Sequence, residues 1–223
     1  MRFKTLLILP LLVASLQAAS VSDLTFTLNG DGTEYSVTDC LQTASGSLDI
    51  PSTYNGLPVT SIAGTTTYDV VFNIEEYDGA FQNCSSLTSI NIPDSVTSIG
   101  YDAFLNTGFS FSEDNNSIKY LISASGNTAY LIDGLSASGN VVVPNTFLGA
   151  SVTYIGGGAF IFTNLTSITI PDSVTSIGEG AFYGCSSLTS INIPDSVTSI
   201  GSWAFRDCSS LNSITIPDSV TSI

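Results

Sequence analysis

One tetrapeptide, Pro-Asp-Ser-Val, begins at Pro171, at Pro194 and at Pro217, always 23 residues after the last. A fixed period in the range of 20 to 50 residues is the signature of a stacked repeat, and it limits the fold more tightly than composition does. The unit reads CxxLxxIxIPDSVxSIGxxAFxx. Cys84 to Gly100 and Cys185 to Gly201 are letter-for-letter identical.

Each letter of the unit has a packing role. Leu188, Ile191 and Ile193 give the LxxIxI pattern of a short strand with apolar side chains turned inward, leaving Thr189, Ser190 and Asn192 outward. Pro194 ends the strand because it cannot donate to a ladder. Asp195 and Ser196 turn the chain, Val197 and Ile200 return to the core, and Gly201 bends it. Ala204 and Phe205 are expected to plug the interior on a short helical turn.

Earlier copies are interrupted. Pro93 opens a regular unit ending at Phe104, whereas Pro51 and Pro144 precede Val59 and Val152 by eight residues instead of three, an extended turn. The reading that results is a signal peptide over 1–19, a β-hairpin cap over 20–49, repeats over 50–107 with an insertion at about 63–76, a β-hairpin island over 108–140, and repeats over 141–223. The last unit stops before its GxxAF plug, so the chain is expected to be a fragment or to pair at that end. The hairpin cap, turning at Asn29 to Gly32, would cover the first coil as a solenoid end requires.

The repeat closely resembles that of BspA-like bacterial surface proteins, whose 23-residue leucine-rich unit follows LxxIxLPxxLxxIGxxAFxxC; the likeness spans about Ile50 to Ile223. The resemblance implies an α/β solenoid, a right-handed leucine-rich-repeat superhelix with short parallel strands on its concave face. It also implies display outside the cell and adhesion to other proteins.

Arg2 and Lys4 precede an apolar run from Leu6 to Leu16 and small residues at Ala18 and Ala19, the pattern of a secretory signal. Its removal would leave Lys119 and Arg206 as the only basic residues against 19 acidic ones, deepening a formal charge of -15 by two units. Such a surface excludes nucleic acid as a partner and disfavours anionic membranes.

The chain contains no histidine, which removes Ser-His-Asp and Cys-His catalysis and the commonest metal ligand. Glu75, Glu76 and Asp78 are the carboxylates a carbohydrate-active enzyme would draw on, but they share one loop with no evident apolar pocket to raise a pKa. Asp94, Asp172, Asp195 and Asp218 recur after the prolines, and an Asp there suits a turn better than a calcium column. Catalytic, metal and cofactor sites are therefore all read as none.

Cys84, Thr107, Thr163, Cys185 and Cys208 share one slot. Parallel stacking permits a Cys185 to Cys208 bridge by distance, while the exchange of Thr for Cys favours small buried groups bonded to backbone. What remains for function is surface. The outward strand residues Thr166, Thr169, Thr189 and Asn192 are small and neutral; the variable residues around the plug, Tyr77, Tyr101, Tyr183, Trp203 and Arg206, are of the types that anchor interfaces. The reading is an exported binding module for an extracellular protein or glycan, acting through these residues or the island hairpin. The alternative is a spacer that only sets length.

Overall fold

The computed structural model describes residues 18–64 and 79–223. They wind into a β-solenoid of about six turns in which each regular turn supplies two short strands to two parallel stacks. The LxxIxI segments form one stack: Gly46–Asp49 lies beside Leu87–Asn91, and Ser138–Val142 beside Asn164–Thr169 and then Ser190–Asn192. The segments ending in Ser-Ile form the other, with Leu57–Ile62 beside Ser98–Ile99, and Ala150–Ile155 beside Ser176–Ile177 and then Ser199–Ile200. Like meets like: Ile168 is opposite Ile191, and Ile177 opposite Ile200.

The expected α/β character is not found. Among the described residues the helical elements reduce to one 3-10 turn, Val21–Asp23, and the reason lies in how the GxxAF plug spends its N–H groups. Ala181 and Tyr183 donate three residues back, to Gly178 and Gly180 (3.3 and 2.9 Å), whereas Gly180, Phe182 and Gly184 donate to Ser202, Ala204 and Arg206 of the next turn (2.9, 2.8 and 2.8 Å). An α-helix would bond its N–H groups within its own segment, four residues back. Here alternate ones belong to the neighbour, so the plug is a ladder between turns and not the expected helical turn.

Inside that ladder the plug rings stack. Phe160, Phe182 and Phe205 lie 5.4 and 5.5 Å apart with interplanar angles of 3°. Beside them the bend glycines pack backbone on backbone: a Cβ on Gly178 would lie 2.5 Å from Gly157 N, and one on Gly201 2.3 Å from Glu179 N. The extended turns at Pro51 and Pro144 are small hairpins, Thr53–Tyr54 and Thr146–Phe147 folding back antiparallel. Their tips, Asn55-Gly56 and Leu148-Gly149, have positive φ at both residues, as a type I′ turn demands.

At the start of the solenoid Leu24–Leu28 pairs antiparallel with Tyr35–Cys40, which joins Leu57–Ile62 in parallel. In the middle, Ser112–Glu113, Lys119–Ile122 and Thr128–Asp133 form an antiparallel meander whose last strand lies parallel to Ala150–Ile155. The two longer strands of this meander carry buried residues on both faces. Tyr120, Ala129 and Leu131 face the core of the later turns, while Leu121 and Tyr130 face that of the earlier turns. The island is thus a wall between two cores, with its first strand, Ser112–Glu113, and parts of Lys119 and Asp133 left at the surface.

Candidate functional site: an aromatic and arginine ridge

The plug ladder requires every second backbone unit to point the other way, and this sets φ positive at two recurrent positions. Asp102, Gly158, Gly180 and Trp203 hold the first, with φ of 55° to 60°; Asn83, Asn106, Phe162, Gly184 and Asp207 hold the second, with φ of 53° to 69°. Glycine, asparagine and aspartate are the residues that accept this conformation cheaply. Trp203 and Phe162 are not, and for a bulky residue it costs of order 1–3 kcal/mol.

The two strained aromatics belong to one surface. Trp203 and Phe162 are 42% and 60% exposed. The guanidinium carbon of Arg206 lies 5.4 Å from the Trp203 ring centre and 5.9 Å from that of Tyr183, within range of cation–π attraction. Tyr183 in turn meets Phe162 edge to face, with ring centres 5.2 Å apart. Phe162 can lie down only because Gly184 has no side chain: a Cβ there would come within 2.3 Å of its ring. The order Phe162, Tyr183, Arg206, Trp203 therefore crosses three turns as a continuous ridge.

Of the residues singled out in the sequence, Tyr183, Trp203 and Arg206 come together in this ridge. Tyr101 does not: its ring lies on Gly158, where a Cβ would be 1.9 Å from Cδ2. Tyr77 lies outside the described residues, as do Glu75, Glu76 and Asp78. Phe162 escaped the sequence reading. Its signal was its place in a slot otherwise held by Asn, Gly and Asp.

Thr166, Thr169, Thr189 and Asn192 are exposed on the outward face of the LxxIxI strands, and much of their bonding joins one turn to the next. Thr166 and Ser167 both donate to Asn140 Oδ1 (2.8 and 2.9 Å), and Thr189 donates to the Thr166 carbonyl (3.0 Å). This face has fewer uncommitted polar groups than its composition suggests. The prolines' carbonyls close the turns by accepting from Val174 and Val197 N–H (both 3.0 Å), and the aspartates between them are exposed. Asp94 is held below the usual carboxylate range, by the Ser123 hydroxyl and then that of Ser125, which donates at 2.9 Å.

All four cysteines are buried free thiols. Cys185 and Cys208 donate to the carbonyls of Phe160 and Phe182 in the preceding turn (3.0 and 3.1 Å), while the Thr163 hydroxyl donates to Phe160 O three residues back in its own turn (2.8 Å). The slot asks for a small buried donor, and either residue supplies it. Burial pushes the Cys185 thiol up and that of Cys208 up to about 11, far from the range of a reactive thiolate.

A family model described as the BspA type leucine rich repeat region matches in six copies, over residues 54–125 and 141–223. Among solved structures, the chain is similar to a leucine-rich repeat protein from Bacteroides capillosus, with 34% identity, 50% of this chain and 86% of that one covered, and a TM-score of 0.45. The T. pallidum leucine-rich repeat protein is 24% identical over 87% of this chain and 91% of its own, with a TM-score of 0.34. A leucine-rich cell surface protein from Faecalibacterium prausnitzii is 27% identical over 92% of this chain and 54% of its own, with a TM-score of 0.33. None of the curated proteins matches the chain.

Proposed function

The chain belongs to the BspA-type leucine-rich-repeat family, and from that premise we propose that it is an exported, surface-displayed module that recognises an extracellular protein or glycan without catalysis. The contact is the ridge of Phe162, Tyr183, Arg206 and Trp203. The observation that carries this reading is the placement of Trp203 and Phe162 at positive φ, where other turns place Gly, Asn or Asp. Large rings held in strained backbone and exposed to solvent do nothing for the core. They do supply the aromatic and arginine anchors around which interfaces are built.

Export is supported by the Arg2 to Ala19 pattern and by the resemblance. The experiment is a screen of the purified protein against extracellular-matrix proteins and a glycan array, repeated with Tyr183→Ser and Trp203→Ser. Saturable binding that both substitutions weaken supports the ridge; no saturable binding in either format defeats it.

A second reading, a structural spacer, is favoured by the outward strand hydroxyls being engaged between turns. In that case the two substitutions leave any surface phenotype unchanged.

A further inference from the structure

The plug ladder is continuous from Gly79 to Leu105, where Phe81 and Asn83 N–H donate to Ala103 and Leu105 carbonyls (2.8 and 2.9 Å), and again from Gly158 onward. Between these runs the meander intervenes. The Ala159 carbonyl accepts from Gly134 N–H (2.7 Å) and not from the turn that carries Phe104. The bend itself passes straight through, with Gly157 N–H donating to Ile99 O at 3.1 Å. A solenoid continuous at its bend and interrupted at its plug opens a gap there, and a cavity of about 180 Å³ occupies it.

The cavity is amphipathic. Phe111, Ile132 and Leu135 line it together with Tyr101, Asp102 and the Lys119–Asp133 pair. Lys119 Nζ is 2.6 Å from Asp133 Oδ2, so that pair is internally balanced. Asp102 is not. The ion pairs among the described residues are Lys119–Asp133 and Arg206–Asp207, and the Tyr101 side chain, which hydrogen-bonds Asp102, brings no charge. The site thus carries one uncompensated, half-buried carboxylate beside apolar walls. Pockets for whole small molecules run to roughly 300–1,000 Å³, so the volume here suits one side chain.

Resting on the reading of this protein as a binding module, we propose that the seam cavity receives a single lysine or arginine side chain from an extracellular protein partner. The aliphatic stem lies against Phe111 and Leu135, and the cationic head pairs with Asp102. The pairing offsets the desolvation Asp102 already bears. The acidic surface as a whole steers basic partners toward it. Tyr101 frames the entrance and leaves the ridge to make separate contacts.

The test titrates the folded protein with Nα-acetyl-lysinamide, Nα-acetyl-argininamide and, as control, Nα-acetyl-glutaminamide, following amide shifts of Tyr101 to Asn106 and Gly156 to Gly158 by NMR. The expected result is saturable shifts with the two basic probes only. Asp102→Asn, which keeps a residue tolerant of positive φ, weakens them at least tenfold; Lys119→Gln, which leaves Asp133 uncompensated, strengthens them. Opposite signs from two substitutions in one cavity cannot come from general loss of structure. Shifts absent with the basic probes, equal with the neutral one, or unaffected by Asp102→Asn overturn the proposal. Trp203→Ser leaves these shifts unchanged, so failure of the cavity and failure of the ridge are read separately.

Discussion

Trp203 stands one turn on from Gly180, in the same backbone position, with φ of 60° against 57°. The position is glycine's by conformation, and tryptophan occupies it at a cost. Trp203→Gly and Trp203→Ala both delete the ring and its contact with Arg206, but only alanine keeps the left-handed penalty. The glycine variant is therefore expected to be the more stable of the two by about 1 kcal/mol, measured by urea unfolding. Equal midpoints would remove the strain on which the functional reading leans.

The bend glycines answer to space instead of φ. A Cβ on Gly178 or Gly201 would meet backbone nitrogen at 2.5 or 2.3 Å, and backbone cannot rotate away. Gly178→Ala is expected to cost at least about 2 kcal/mol, toward the upper part of the range for overpacked sites. Gly149→Ala, which has open space but a φ of 89°, should cost only about 1 kcal/mol. Thermal unfolding of both variants gives the order.

Phe182 is fully buried between Phe160 and Phe205. Truncation to alanine opens a cavity in the middle of the ring column, and about 3–5 kcal/mol of stability should be lost. The neighbouring turns share this column, so hydrogen exchange should accelerate on both sides of the substitution.

Cys185→Thr places in the slot what Thr163 already places one turn earlier, and unfolding should shift by no more than about 1.5 kcal/mol, the net worth of one hydrogen bond. In the native protein the four thiols should react slowly with a disulfide reagent, and all four rapidly once unfolded. A native protein with two unreactive sulfurs after unfolding would mean a bridge.

Asp102 has its carboxyl raised above the usual value by burial and, after that, by the charge of Asp133, against a lowering bond from Tyr101. A carboxyl raised in the folded state contributes its stability below the unfolded pKa and loses it as pH climbs through the folded one. Asp102→Asn should therefore gain on the wild type as pH rises from about 4 to 7, the interval above the usual carboxylate range. A stability difference that stays flat across that interval would contradict the burial of the carboxylate.

The repeat made the solenoid legible, because a strict spacing of Leu, Ile, Val and Gly leaves few folds in which each meets its own copy. What it could not convey was direction. The letters GxxAF fit a helical turn as well as a ladder, and only the sharing of Gly180, Phe182 and Gly184 N–H groups with the next turn decides between them. The same gap hid Phe162, since a slot's preference for positive φ is visible only once the backbone alternates. In the island, strand alternation cannot reveal that Lys119–Ile122 and Thr128–Asp133 carry buried residues on both faces. Tyr183, Trp203 and Arg206 stand out in the sequence because residues freed from packing differ from copy to copy in a rigid repeat. Their convergence on one ridge depended on turns three-dimensionally in register.

The most direct measurement compares wild type and Trp203→Gly by surface plasmon resonance against the panel of extracellular-matrix proteins and immobilised glycans. Saturable binding to at least one of them, weakened at least tenfold in a variant that unfolds no earlier than Trp203→Ala, is the expected result. Binding that is absent throughout, or unchanged when the ring is gone, would contradict the ridge as the recognition surface.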